Sequence, residues 1–554
     1  MSYRKFRLNL TAVGFPLLSE FSGRTIVIPL LDENDQTSIN SGLVQANPEK
    51  RNAAMYYCEN VMPTAQGLQS IAYDVKITAV GGGVALMQIL EVRDSLRNLT
   101  YIGVSTTGTI YIKSIVTNNW IAMTTPSWTT SLVPSVAVLM TSAGVKSLIC
   151  LPGSGIYIVD CVANTLTLAT LSGSITMAAI KGICAASNYL ILTNDNYIYW
   201  SSAFDPFDFN TANSLITGTG YGVPTGIVGS IVGTLSGNSG FIVVATGNAV
   251  LASLNSGNIL YPWTFIVVPN SSGSINNREF TPAPDGNMYQ WSSAGLVKLT
   301  PQGTVMEYPE VTDFLVGKKL ETYDQTTNIL TTTALSFDMS VLVKMLGHRY
   351  LVISYGSSTA YFDYALVLDT SLGRWGKLKI QHVDIVDFNL NTQVATGLGA
   401  TWNGVGLLTW NAKPAVNTWG NLVSNVTIAG SPKRTLGFLQ YDGTVQVLNF
   451  DTSNHNSAAV ALIGKLALDR QNMVKLLEVE LDNIDSDATF SLQIGPSYNG
   501  KDITYPLVTP YLFSKTAKSR DFTCLVTAES HTLFLKGSFN LNSAIVTMMD
   551  NGSF

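Results

Sequence analysis

One short pattern recurs along the chain: an apolar strand, a tight polar turn and a second apolar strand. It occurs at 101–112, 148–159, 189–200, 241–251, 288–299, 350–358 and 437–448. The strands are β-branched and aromatic, as in Phe241-Ile-Val-Val-Ala, and Gly, Ser, Thr and Asn bound them. Turn centres near residues 108, 154, 195, 247, 294 and 357 are 46, 41, 52, 47 and 63 residues apart. A weaker unit around Trp402-Asn-Gly-Val-Gly-Leu-Leu falls in the gap before Gly443. Periods of roughly 40–50 residues, each holding several strands, are the spacing of β-propeller blades. One four-stranded blade cannot cover both of its own faces, so blades close into a ring in which neighbours cover each other. A stack of ordinary β-sandwich domains is the alternative reading.

The sequence therefore predicts an all-β protein, a β-propeller-like repeat array over 71–454 with seven or eight hairpins and loop insertions. Within it, 367–378 reads as a blade hairpin in which Asp369 bonds the turn, Gly373 takes positive φ and Trp375 opens the next strand. Residues 1–70 and 455–554 lie outside the repeat and predict a β-sandwich-like platform domain formed from both termini. Within 473–481 the alternation of Val479 and Leu481 favours a strand over a helix.

Charge is unevenly placed. Charged residues are only 12% of the chain, and the net charge is −5. From 98 to 277 the only charged residues are Lys113, Lys146, Asp160, Lys181, Asp195, Asp205 and Asp208, and 209–277 has none. A monomer in water rarely exposes so neutral a surface, so this segment is expected to be buried or to face copies of itself. The balance of 32 basic and 37 acidic residues also argues against a broadly basic nucleic-acid surface. No uninterrupted run of 18 apolar residues predicts a membrane helix, and no apolar core following the basic start predicts a signal peptide.

Catalytic signatures are not evident. The five cysteines, Cys58, Cys150, Cys161, Cys184 and Cys524, lack C-x-x-C spacing and read as buried free thiols. The histidines, His348, His382, His455 and His531, lack ligand spacing. Asp482, Asp485 and Asp487 lack the glycine and distal glutamate of a calcium loop. The carboxylate pairs and arginine cluster of propeller glycosidases are not recognisable. We expect no enzyme activity and no cofactor. The run from Gly218 through Gly220, Tyr221 and Gly222 to Gly226 is glycine-rich without nucleotide-binding spacing, and reads as a mobile loop.

The segment 47–63 resembles a region that precedes the propeller in tail proteins of short-tailed bacteriophages. The residues that carry the likeness are Arg51, Tyr56, Tyr57, Glu59, Asn60 and Pro63. Tyr199-Trp-Ser-Ser-Ala-Phe-Asp-Pro-Phe-Asp-Phe, Met288-Tyr-Gln-Trp-Ser-Ser-Ala-Gly-Leu and Arg374-Trp-Gly-Lys-Leu, with Trp375, are similar to tail nozzle and packaged-DNA stabilisation proteins. The resemblance implies a structural virion protein, made in the host cytoplasm, that forms a ring, typically a hexamer. Such a ring lies below portal and adaptor, extends the DNA channel, retains the packaged genome until ejection, and contacts fibres or spikes. DNA would pass through the lumen without sequence-specific binding. The uncharged glycine-rich loop 218–240 is then the expected gate. The alternatives are a carbohydrate-binding or glycan-degrading propeller and another β-rich virion component.

Overall fold

The computed structural model describes residues 3–9, 55–389 and 434–553, apart from short internal stretches such as 212–217, 335–341, 451–458, 498–510 and 514–520. Seven antiparallel blades run in chain order over 86–122, 135–168, 182–222, 231–267, 280–305, 342–382 and 384–449. We number them 1 to 7. Six of the seven recurrent units span the second and third strands of a blade, and the unit at 350–358 is the second strand of blade 6 with the start of its turn, so the repeat marks the same structural position each time.

The first strands of the blades are Leu86–Arg93, Ser135–Thr141, Gly182–Ala186, Ile231–Ser236, Phe280–Pro282, Leu342–Leu346 and Asp384–Asn389. Each touches the first strand of the next blade, and Asp384–Asn389 touches Leu86–Arg93. These inner strands make a closed ring, which establishes a seven-bladed β-propeller and excludes a stack of separate sandwiches. Closure has a second element. Blade 7 draws its outermost strand, Ala72–Ile77, from ahead of blade 1, paired antiparallel with Val445–Asn449. Both ends of the array thus meet in one sheet, and separating blades 7 and 1 would require breaking that ladder.

The two long spacings have simple causes. Between blades 5 and 6 the chain inserts a short helix, Pro309–Leu315, and a hairpin, Lys319–Asp324 with Ile329–Ala334. Between the first and second strands of blade 7 it inserts 390–433, which holds the weaker Trp402 unit and lies outside the described residues. The strands on either side of the insertion pair directly with each other, so blade 7 is continuous across it.

Alternating residues of each blade fill the cores between blades. Ile102, Val104 and Ile112 of blade 1 meet Ile149, Leu151 and Tyr157 of blade 2, and Ile191 and Trp200 of blade 3 meet Phe241, Val243 and Trp263 of blade 4. The last seam joins Val386 and Phe388 to Ile89 and Tyr101, with Ile77 of the closing strand between them. Each such buried aliphatic or aromatic side chain contributes roughly 1.5–3 kcal/mol.

Strands from both ends of the chain form two further sheets. One has the order Met55–Glu59, Val460–Leu466, Ser530–Gly537, Phe490–Ser497, Tyr511–Phe513. The other has Val61–Thr64, Gly67–Ser70, Asn540–Ser553, Asn472–Asn483, Asp521–Ala528, with Tyr3–Asn9 alongside Asn540–Ser553. They face each other through i, i+2 pairs such as Ala461 and Ile463, Leu533 and Leu535, Val546 and Met548. This is the two-sheet packing of a sandwich, and we call it the platform. Its core is continuous with that between blades 5 and 6, where Tyr289, Leu296 and Ile353 belong to the same cluster. The ambiguous segment is a strand, Asn472–Asn483.

Candidate functional site

Two of the stretches that carry the phage resemblance, 55–63 and 374–378, meet at the joint between platform and propeller, whereas 199–209 belongs to blade 3 and 288–296 to blade 5. Met55–Glu59 is an edge strand of one platform sheet, and Tyr57 pairs with Leu462. At Asn60 the backbone turns through φ 57°, a left-handed conformation that asparagine tolerates better than most residues. The chain thereby leaves the first sheet and enters the second as Val61–Thr64, hairpinned to Gly67–Ser70 with Pro63 opposite Leu68. Val61 also pairs with Lys377 of Arg374–His382, the outer strand of blade 6, so propeller and platform share one sheet.

Polar side chains fix this crossing. The Asn60 side-chain oxygen accepts from the Lys379 backbone N–H at 2.9 Å and from the Tyr73 hydroxyl at 2.7 Å. Glu59 is fully buried; its carboxylate accepts from the Tyr57 hydroxyl at 2.5 Å and from Lys379 Nζ at 3.2 and 3.3 Å. Lys377 is also buried, with Nζ 4.5 Å from the Tyr57 ring centre and 4.7 Å from that of Tyr364. A buried carboxylate, a buried ammonium group under two ring faces and the half-exposed Lys379 ammonium thus balance one another at the joint. Burial pushes the Cys58 thiol up to about 12 against the pull of Lys377, and burial together with Glu59 raises the Tyr73 hydroxyl well above its usual range.

Of the four resembling segments, the described part of the first, 55–63, and the last, 374–378, are therefore one structural unit. The Arg374 guanidinium donates to the Thr64 carbonyl at 2.7 Å. A Cβ on Gly376 would lie 2.6 Å from both the Val61 carbonyl oxygen and Met62 Sδ, so the close approach requires glycine. Trp375 is buried and edge-on to Tyr308, with ring centres 5.6 Å apart. Tyr56 lies in the strand Met55–Glu59, and Arg51 falls outside the described residues. Sequence reasoning did not single out Lys377, Lys379, Tyr73 or Tyr364. Tyr-Xaa-Glu-Asn ahead of the repeat signals the joint, but its lysine partners lie more than 300 residues away.

The glycine-rich segment corrects an expectation. Its middle, Gly220–Gly222, is the outer strand of blade 3 and not a mobile loop, and Ile231–Ser236 is an inner strand. The Trp200 indole N–H donates to the Gly218 carbonyl at 2.9 Å, and a Cβ on Gly220 would sit 2.4 Å from the Trp200 ring. Tyr221 stacks on Tyr199 at 5.8 Å. At Gly220 the missing side chain makes room for an aromatic ring. Gly226, at φ 79°, lies in the turn that follows and is held where its Cβ would meet Val267.

Charge around the inner ring is lopsided. Asp384 is buried at the start of blade 7's inner strand. It accepts from the Ile89 backbone N–H of blade 1 at 2.9 Å and from Lys344 of blade 6 at 2.8 Å, and the Arg278 guanidinium lies at 3.6 Å. These contacts hold its carboxyl below the usual range despite burial. Nearby, Asp387 pairs with Arg434 at 2.7 Å, and burial together with Asp387 raises the Glu91 carboxyl. The inner strands of blades 2 to 4 hold no charged residue. Large apolar side chains stand exposed on those blades, among them Met140, Val162, Leu168, Tyr221 and Ile266.

Among the described residues, no group of three or more His, Cys, Asp or Glu side chains that could hold a metal ion occurs. Asp482 lies in Asn472–Asn483, while Asp485 and Asp487 fall outside the described residues. Cys58, Cys150, Cys161 and Cys184 are buried free thiols. No family model matches the chain, and no curated protein matches it. Solved structures similar to it include those titled "Structure of U3-55K" and "Crystal structure of RRP9 WD40 repeats". Both are 10% identical with a TM-score of 0.35; they cover 56% and 57% of this chain and 87% and 88% of their own. That likeness is too slight to bear on function, and the propeller rests on its own closed ring of strands.

Proposed function

We propose that this chain is a structural subunit of a bacteriophage virion, a tail nozzle or hub protein that assembles into a ring with copies of itself. In this reading it extends the DNA path below portal and adaptor, contacts fibres or spikes, and carries no catalytic step. The observation that carries the proposal is the asymmetry of the propeller. Blades 1, 6 and 7 hold the ion pairs around the inner ring, whereas blades 2 to 4 are nearly uncharged with exposed apolar side chains. Such a face is stable in water when another protein surface covers it. The joined platform supports the reading too, because it holds the propeller in one orientation relative to the rest of an assembly. Duplex DNA passing such a subunit meets no broad basic wall, which spares it salt-dependent retention on the channel surface.

The test is electron microscopy of particles containing the tagged chain, together with particles carrying Leu168→Lys and Ile266→Lys. The proposal expects a ring of several copies at the tail, lost or weakened in the double variant. A single copy per particle would sink it.

A further inference from the structure

A cleft of about 440 Å³ opens between blades 2 and 3. That lies within the roughly 300–1,000 Å³ usual for small-ligand sites. The blade 2 side is built from Thr129, Leu132 and the turn at Gly153; the blade 3 side is Lys181 and the turn 194–197. Gly153 has φ 82°, and a Cβ there would meet the Thr129 hydroxyl at 2.4 Å, so glycine keeps this wall open.

The turn is rigid. The Asn194 side-chain oxygen accepts from the backbone N–H groups of Asn196 at 3.0 Å and Tyr197 at 2.7 Å. The Asp195 carbonyl accepts from the Ile231 N–H at 2.9 Å, which ties the turn to blade 4. Tyr197 is 40% exposed, and its ring is braced by Tyr199 and Tyr221 at 6.4 and 6.3 Å. An aromatic ring held this way offers a flat face at small entropic cost.

The chemistry of the lining selects a ligand class. Lys181 and Asp195 pair at 2.5 Å, so the cleft's cation is already neutralised and an anion gains little there. The ammonium still has N–H groups to donate and the carboxylate a second oxygen to accept. Asn196, exposed in the same turn, adds an amide, and Thr129 a hydroxyl. Leu132 is the one large aliphatic side chain in the lining, too little for an apolar ligand. A ligand with many hydroxyls, no net charge and one face of C–H groups meets all of these. We propose that the cleft between blades 2 and 3 binds a neutral saccharide, with Tyr197 under a sugar ring and Lys181, Asp195 and Asn196 bonding its hydroxyls.

This inference stands apart from the ring assembly: a monomer that binds sugar, or a ring that does not, would separate the two. The test is a glycan array of neutral, uronic-acid, sialylated and sulfated oligosaccharides probed with the full chain, followed by titration with the best neutral probe. Binding to neutral probes is expected. Tyr197→Ala and Asn196→Ala should each weaken it at least about tenfold with the melting temperature unchanged, while Tyr441→Ala, at an exposed turn of blade 7, leaves it intact. Binding to no neutral probe, binding confined to the anionic ones, or undiminished binding by both cleft variants would overturn the proposal.

Discussion

Val61 sits opposite Lys377, and at this one pair a platform sheet becomes continuous with the outer strand of blade 6. Beside it are the buried Glu59 carboxylate and the buried Lys377 ammonium, the first bonded to Tyr57 and Lys379, the second covered by two tyrosine rings. Because each charge is enclosed, removing one leaves others uncompensated. Glu59→Ala is expected to destabilise the chain by about 3–5 kcal/mol. Lys379→Met should cost less, about 1–3 kcal/mol, because Lys379 is 42% exposed and Glu59 keeps the Tyr57 hydroxyl. Urea midpoints of the two variants would check the order; equal midpoints would refute this account of the joint.

Two glycines on the same hairpin separate crowding from backbone strain. Gly376 has Val61 and Met62 atoms 2.6 Å from where a Cβ would be, whereas Gly373, at φ 64°, has open space there. Gly376→Ala must push the platform strand away and should cost about 1–3 kcal/mol. Gly373→Ala incurs only left-handed strain, about 1 kcal/mol. Melting temperatures should rank wild type, Gly373→Ala, then Gly376→Ala.

The propeller was legible in the sequence because its second-to-third strand hairpins are local: both strands and the turn lie within about twelve residues, and turn chemistry repeats with them. Closure was expected from the repeat, but the strand that completes it was not legible. Ala72–Ile77 pairs with Val445–Asn449 across most of the chain, and no local pattern marks a strand as belonging to a distant blade. The glycine-rich stretch misled for a related reason. Glycine signals conformational freedom when read locally, yet at Gly220 it makes room for the Trp200 ring. Tyr57, Glu59 and Asn60 were marked by resemblance, while their work at the joint depends on Lys377 and Lys379, which strand pairing alone brings near.

The closing strand should therefore be sensitive on one face. Ile77 is fully buried between blades 7 and 1, and Val75, two residues earlier, is 52% exposed. A register shift between Val445 and Gln446 falls between them, yet Ile77 still faces Val445. Ile77→Ala is expected to cost about 2–5 kcal/mol through the lost contacts and the cavity left behind. Val75→Ala should stay within about 0.5 kcal/mol. Hydrogen exchange would locate the effect: protection in Ala72–Ile77 and Val445–Asn449 should fall together in Ile77→Ala, and unaltered protection of both strands would contradict closure through this ladder.

Acid should weaken the seam between blades 6 and 7 through His382. The ring is fully buried between Phe362 and Phe438, with centres 5.6 and 5.1 Å away. Nδ1 lies 2.7 Å from the Ile380 carbonyl, which can only accept, so Nδ1 carries the proton. Nε2 then accepts from the Ser354 hydroxyl at 2.7 Å, an arrangement of the neutral imidazole. Burial pushes the ring from 6.5 down to about 4, outweighing the Ile380 carbonyl and Asp384, which act in the opposite direction. Since the folded value is depressed, the stabilisation is fully present above pH 6.5 and is lost as pH falls towards 4. Its full size is on the order of 3 kcal/mol. The raised carboxyl of Glu91 acts in the opposite sense, its contribution being present at low pH and lost as pH rises. A histidine variant is therefore needed to isolate the effect. His382→Asn should be less stable than wild type at pH 7, and its midpoint should fall less steeply between pH 6.5 and 4. If variant and wild type lose stability in parallel over that window, His382 is not the group that titrates.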